Sequence, residues 1–287
     1  MNFTPMRLIG VGLLATVGLF VSAHPCRASG SDDITAVSSQ ASVDYIRAKQ
    51  PDGKYAPEAY AFADGGRWQG SMTDASIDKL TFLDVAHMIA YPLADQNYMP
   101  SKDPRTAKLM IMVYWGTTQA PEHANETGSY ERVMQNQGAK TFLAREDLAF
   151  RMESVELEDI ERDKTDLKNA QMLGYDSWWA QTDQFRGTFL EIRRQDMVDE
   201  LELNRYFVVL MAYDFQLLRM GKRHKLLWVT RFSIRQMHHE FDKDLPAMAQ
   251  YASQYFGQNT HGLVRTMVPY GRVDIGAMES LGPVPGK

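Results

Sequence analysis

Hydrophobic residues recur at helical spacing after Leu80, and this segment gives the clearest predicted element of the chain. Thr81 and Asp84 have the spacing of a capping box, in which each side chain accepts a hydrogen bond from the other's backbone amide. One helical face then carries the apolar residues Phe82, Val85, Ala86, Ile89 and Leu93. The pattern predicts a helix that starts at Thr81 and kinks or ends near Pro92, whose ring displaces a backbone hydrogen bond.

Two further segments have the pattern of strands. Leu109 to Trp115 (LMIMVYW) is apolar at every position, which predicts a strand covered on both faces and central in a sheet. Tyr60 to Gly70 predicts an edge strand broken by a turn at Asp64-Gly65-Gly66. The sheet is therefore predicted to begin near Tyr60.

Two later segments, Arg205 to Leu217 and His224 to Arg235, predict a β-hairpin that turns near Met220-Gly221. That turn sets these cross-strand pairs: Trp228 with Tyr213, Phe232 with Val209, and Ile234 with Phe207. One face of the hairpin is then wholly apolar and is expected to pack on helices. The other face is also too apolar to contact water, so we predict that a helical insertion, about residues 119–203, covers it.

A second one-faced helix is predicted after Asp244, its expected N-cap, with Pro246 in the first turn. Its apolar face comprises Leu245, Met248, Ala249, Ala252 and Phe256, and Gly257 is expected to stop it. A short strand is predicted at Gly271 to Ile275. The order of elements predicts an α+β fold: a mixed or antiparallel sheet with two helices on one face and the long helical insertion covering the other.

The first 28 residues have the pattern of a Sec-type export signal. Arg7 supplies the positive start, and Leu8 to Val21 form an apolar run shorter than the ~20 residues that span a bilayer. Cleavage after Ala23 or Ala28 would leave no membrane span and predicts a periplasmic or extracellular location. Residues 29–54 are predicted to be a mobile lead-in, 55–280 a single domain, and 281–287 a disordered tail.

Composition narrows the possible functions. The 287-residue chain has a net charge of −5 at pH 7, which argues against nucleic acid as a partner because phosphate binding needs a basic face. Cys26 is the only cysteine and lies in the predicted signal, so cleavage after Ala28 leaves neither a disulfide nor a thiolate nucleophile. The chain contains no HExxH, GxSxG or phosphate-binding glycine motif, and no cofactor is predicted.

A few residues are candidates for catalysis. His238, His239 and Glu240 form the densest group of potential metal ligands, but adjacent histidines point to different sides, so a solvated turn is favoured over a metal site. Asp214 ends an apolar strand, and pairing with a nearby arginine is favoured over a general base. His87 is expected in the interior. A hydrolase or metal-dependent enzyme would need Asp214 and the histidine group to converge in one pocket.

The aromatic cluster of the insertion is the best binding candidate. It comprises Tyr175, Trp178, Trp179 and Phe185. Flat aromatic faces beside polar groups could hold a sugar or the side chain of a partner protein. Packing of the insertion onto the sheet explains the same residues and is the favoured interpretation.

The segments TFLDVAHMIAYPLADQNYMP, AKLMIMVYW, LLWVTRFSIR and LPAMAQYASQYFG resemble uncharacterised exported bacterial proteins. Their order of elements is similar to small envelope domains such as the amino-terminal domain of TolB-type proteins. The resemblance covers about a third of the chain and implies action by contact, with no catalytic residues. We therefore expect a non-catalytic envelope interaction protein whose partner is an envelope protein or a glycan. A secreted hydrolase and a glycan or small-ligand binder are the alternatives.

Overall fold

The computed structural model describes residues 34–70, 72–121, 161–178, 191–221 and 223–267. Its strands are β1 (Ile34–Ala41), β2 (Glu58–Trp68), β3 (Tyr98–Pro100), β4 (Leu109–Thr117), β5 (Arg205–Asp214), β6 (Leu226–Arg235) and β7 (Leu263–Met267). They form one sheet in the order β3-β2-β4-β5-β6-β1-β7. β2 runs parallel to β3 and β4, and the other neighbours are antiparallel, so the sheet is mixed.

The helices are α1 (Ala75–Asp78), α2 (Phe82–Asp95), α3 (161–173), α4 (Glu191–Leu201), α5 (Phe215–Arg219) and α6 (Phe241–Ser253). Residues 176–178 form one further helical turn. None of the helices in these ranges is long and apolar enough to cross a membrane.

Alternation along β5 separates two cores. Val208 and Leu210 lie with α2 and α6 in the first core, whereas Phe207 and Val209 lie with α3 and α4 in the second. The two layers confirm the predicted α+β fold, with two long helices on one face and α3 and α4, the described helices of the insertion, on the other. β4 is central in this sheet, as predicted.

Helix α2 has the predicted capping box. The Asp84 amide donates to Thr81 Oγ1 at 3.3 Å, and the Thr81 amide donates to Asp84 Oδ2 at 2.8 Å. The helix continues through Pro92 to Asp95, because a proline this close to the end costs only one backbone bond. The prediction for His87 is wrong, since this residue is exposed.

The prediction of a mobile lead-in over residues 29–54 is wrong where the structure describes them. β1 lies inside the sheet between β6 and β7, and Val37 and Ser39 are fully buried. The hydroxyl of Ser39 lies 2.7 Å from Thr230 Oγ1 and donates to the Tyr255 carbonyl at 2.8 Å. A serine-rich composition suggested solvent, but the neighbouring elements satisfy these hydroxyls and allow burial.

β2 differs from its prediction in two ways. It is one continuous strand with a bulge between Asp64 and Gly66, where a turn was predicted. It is also not the edge strand, because β3 pairs with Glu58–Tyr60 at the start of β2. A bulge admits an extra residue without ending the ladder, which is why the glycines do not break the strand.

The predicted register of the β5–β6 pair is wrong by one residue. Trp228 pairs with Ala212, Phe232 with Val208, and Ile234 with Tyr206. The strands are joined through α5 rather than by a tight turn, and a bulge at Ala212 and Tyr213 shifts the ladder. A shift of one residue moves side chains to the opposite face, so Val208 and Leu210 join the first core.

Helix α6 begins three residues before its predicted cap. Its N-cap is Glu240, whose amide donates to Asp244 Oδ2 at 2.9 Å. The predicted apolar face is confirmed, since Leu245, Met248, Ala249, Ala252 and Phe256 are all buried. β7 follows and was not predicted. The predicted export signal, the strand at 271–275 and the tail at 281–287 lie outside the described residues.

Candidate functional site

The candidate catalytic residues lie at opposite ends of the sheet. Asp214 ends β5, whereas His238, His239 and Glu240 follow the end of β6, which pairs with the start of β5. At about 3.3 Å per residue, the ten-residue β5 places about 30 Å between the two groups. Asp214 is therefore too distant to share a pocket with the histidines.

Three of these residues have a local structural contact. The Asp214 carboxylate caps α5 by accepting from the Leu217 amide at 3.0 Å, in place of the arginine pair expected from the sequence. His239 Nδ1 lies 3.1 Å from Asp244 Oδ2. Glu240 forms an ion pair with Lys243 at 2.6 Å. In the described ranges, no group of three or more His, Cys, Asp or Glu residues could hold a metal ion.

A polar network joins α1, β5 and the segment between β6 and α6. The Asp74 carboxylate accepts hydrogen bonds from Tyr206 Oη, from Ser76 Oγ at 2.7 Å and from Gln236 Nε2 at 2.7 Å. Burial opposes ionisation of Asp74, but these bonds outweigh it and lower its pKa to about 2. Burial and the bond to Asp74 raise the pKa of Tyr206 to about 12. Neither group changes its protonation state near neutral pH. The network is therefore suited to holding α1 against β5 rather than to proton transfer.

A cavity of about 660 Å³ lies beside β1 and β7, on the face of the sheet that the insertion covers. Trp178 and Met197 of the insertion contribute its apolar wall. Gln40 of β1 and Arg265 of β7 add polar groups to the lining. Distant parts of the chain thus converge on one concave site of the size that small ligands occupy.

The loop between α6 and β7 forms another wall, which includes Asn259 and His261. Hydrogen bonds hold this loop on β1: the Ser39 amide donates to Thr260 Oγ1 at 3.0 Å, and the Ala41 amide donates to Asn259 Oδ1 at 2.8 Å. Asn259 Oδ1 accepts the β1 amide, whereas the NH₂ group of this side chain makes no hydrogen bond within the described residues and can donate to a ligand.

Behind the cavity, a buried carboxylate balances the charge of Arg265. Glu200 is 6% exposed, accepts from Tyr175 Oη at 2.7 Å and forms an ion pair with Arg265 Nη2. Burial raises the pKa of Tyr175, which therefore keeps its proton. Arg265 is the only Asp, Glu, Lys or Arg among the described lining residues. Because Glu200 neutralises it, the lining carries little net charge.

His261 lies in the left-handed region with φ of 54°, which costs a non-glycine residue about 1 kcal/mol. We expect His261→Gly to raise the free energy of unfolding by about 0.5 kcal/mol, measured by urea titration. His261→Ala is the matched control, because it removes the imidazole but keeps the strained backbone. Equal stability of the two variants would show that the loop relaxes without cost.

The aromatic cluster predicted to bind a ligand is only partly described. Trp178 is half-buried and lines the cavity, whereas Tyr175 is fully buried in the second core and bonded to Glu200. Trp179 and Phe185 lie outside the described residues. A ligand-binding role for this cluster stays a prediction.

Sequence reasoning missed Gln40, Asn259, His261 and Arg265. Gln40 lies in a segment whose composition indicated a mobile lead-in, and the other three are more than 200 positions away along the chain. The run Gln-Asn-Thr-His-Gly at 258–262 carries a turn signal that could have identified the loop. Nothing local connects that loop with β1.

No family model matches the chain, and no curated protein matches it. The resemblance to TolB-type domains therefore has no support from a family model. Among solved structures, the chain is similar to the crystal structure of a PDZ domain protein from Parabacteroides distasonis, with a TM-score of 0.38 and 9% identity. The match covers 81% of this chain and 38% of that chain. A similarity this distant identifies neither family nor function.

Proposed function

We propose that this chain is an exported binding protein of the bacterial envelope, that it acts by contact rather than by catalysis, and that its binding site is the cavity beside β1 and β7. One observation carries the proposal: four side chains from distant parts of the chain line one concave site of about 660 Å³. They are the indole of Trp178, the amides of Gln40 and Asn259, and the guanidinium of Arg265, whose charge Glu200 neutralises. Ligand pockets combine an apolar wall with a few placed polar groups in this way.

The distribution of titratable groups supports contact over chemistry. Asp214 is about 30 Å from the histidine group, and its carboxylate caps a helix. Glu200 is not among the described lining residues, and its carboxylate is bonded to both Tyr175 and Arg265 behind the cavity. A hydrolase would need an activated nucleophile or a general base within hydrogen-bond reach of the substrate.

Filling the cavity tests the proposed site. Ser177 is exposed and lines the cavity, so Ser177→Trp places an indole in it without disturbing a core. We expect the wild type to bind members of a fragment library of sugars, amino acids and dicarboxylates in saturation-transfer NMR, and Ser177→Trp to lose those signals. Lys164→Trp, at an exposed position of α3, is the matched control and should keep them. Equal binding by Ser177→Trp would contradict the proposed site.

Export is tested with a reporter. The proposal rests on the apolar run from Leu8 to Val21 after Arg7, which is typical of a cleaved leader. Residues 1–33 fused to an alkaline phosphatase that is active only outside the bacterial cytoplasm should give activity. Leu14→Arg, which interrupts the apolar run, should abolish it. Activity that survives this substitution would show that the segment is not an export signal of this kind.

A further inference from the structure

We infer that the cavity binds a neutral saccharide, with a sugar ring against the indole of Trp178 and ring hydroxyls bonded to the amides of Gln40 and Asn259. This inference rests on the proposed binding function and adds the chemical class of the ligand. It follows from the shape of the wall, the type of polar group and the charge of the lining.

The wall supplies a flat apolar surface. Trp178 packs on the second core with part of its side chain and lines the cavity with the rest, so the fold holds its ring in place. Met197 and Leu263 add further apolar surface to the lining. A pyranose ring presents C–H groups on its faces, and such a face matches a large, oriented aromatic ring.

The polar groups match hydroxyls better than ions. Gln40 is exposed at the cavity and carries both a donor and an acceptor, while Asn259 has its NH₂ group left to donate. Ser177 adds a hydroxyl that can donate or accept. Sugar hydroxyls also both donate and accept, so every hydroxyl at the ring edge can find a partner of either kind.

The charge of the lining disfavours an ionic ligand. The guanidinium of Arg265 already has its counter-ion in Glu200, a carboxylate that also accepts from buried Tyr175. An anionic ligand would have to compete with Glu200, and a cationic ligand would meet no free carboxylate in the described lining. Because a desolvated charge needs an opposite charge nearby, a neutral ligand binds here at the lowest cost.

The saccharide is tested by calorimetry with cellobiose, maltose and N,N′-diacetylchitobiose, and with succinate, inorganic phosphate and phenylalanine as non-sugar probes. We expect at least one disaccharide to bind and the non-sugar probes to give no heat. Gln40→Ala should weaken binding at least tenfold, because it removes the amide that bonds the ring hydroxyls. The side chain is exposed, so its removal costs no packing. Trp178→Ala should abolish binding, and Trp178→Phe, which keeps a flat ring, should restore part of it.

Trp68→Ala is the matched control, since Trp68 is 44% exposed and is not among the cavity residues. Disaccharide binding that Gln40→Ala leaves unchanged would overturn the inference. Binding of phenylalanine, succinate or phosphate, but of no disaccharide, with NMR shifts at the Gln40 and Gly262 amides would overturn the saccharide and keep the proposed site. If no probe shifts those amides, the inference and the proposed site both fail.

Discussion

Gly174→Ala will destabilise the protein by about 3 kcal/mol, because the substitution separates the insertion from the sheet. Gly174 follows α3 with φ of 82°, a conformation that disfavours any residue with a Cβ atom. The added Cβ would overlap Ser38 Cβ and lie 2.7 Å from Ser38 Oγ in β1. α3 and β1 must therefore move apart to admit one methyl group.

Gly221→Ala separates the two causes of this loss. Gly221 has a φ of 66°, but apart from its own residue and its chain neighbours no described residue has an atom within 4 Å of the position of an added Cβ. This control incurs only the backbone strain of about 1 kcal/mol. Urea unfolding followed by circular dichroism measures both variants, and equal losses would show that the approach of Gly174 to Ser38 is not a close contact.

The same substitution connects the fold with the proposed site. Trp178 lies four residues after Gly174 and lines the cavity, so a movement of α3 away from β1 is expected to displace it. We therefore expect Gly174→Ala to weaken disaccharide binding even at a temperature where the sheet remains folded.

Asp166→Asn will stabilise the protein by about 3 kcal/mol at pH 8. Asp166 is 2% exposed, and its Oδ1 has no hydrogen-bond partner among the described residues. Burial and the nearby Glu202 carboxylate raise its pKa to about 7, and Arg162 offsets part of this increase. Asp163 also faces Asp166 and adds a smaller repulsion.

The sign of the pH dependence follows from the raised pKa. The unfolded chain ionises Asp166 near pH 4, whereas the folded protein keeps the proton until about pH 7. The contribution of this group to stability is therefore lost as the pH rises from about 4 to about 7 and stays lost above it. The gain from Asp166→Asn should be full at pH 8 and should shrink towards pH 4.

Glu161→Gln is the matched control, because Glu161 lies on the same helix, is exposed and is not among the charges that raise the pKa of Asp166. We expect it to change the free energy of unfolding by less than about 0.5 kcal/mol at either pH. A lower stability of Asp166→Asn at pH 8 would mean that the ionised carboxylate is stabilised in the fold.

Local sequence patterns were sufficient to predict the elements that depend on contacts between residues a few positions apart. The capping box of Thr81 and Asp84 involves residues three positions apart, and the apolar face of α6 repeats every three or four positions. The strand that begins at Leu109 is apolar at every position, so both of its faces must be buried. That pattern was enough to predict a place inside the sheet, where β4 lies. These features made the α+β layering predictable.

The register of β5 and β6 was not predictable, because both faces of β5 are apolar and the hydrophobic pattern does not distinguish them. Only the connection through α5 and the bulge at Ala212 and Tyr213 decides which face meets α2 and α6. β1 was missed for a related reason. Its serines look solvated in the sequence, and only partners such as Thr230 and Tyr255 make their burial possible.

The candidate site divides in the same way. The sequence by itself determined that Trp178 is an aromatic residue beside polar groups, and therefore a candidate for binding. The tertiary structure alone decided that Gln40, Asn259 and Arg265 share a cavity with it, since they converge through the pairing of β1 with β7. That pairing joins the first and last strands of the described residues, which are more than 200 positions apart, and no local periodicity records a contact over such a separation.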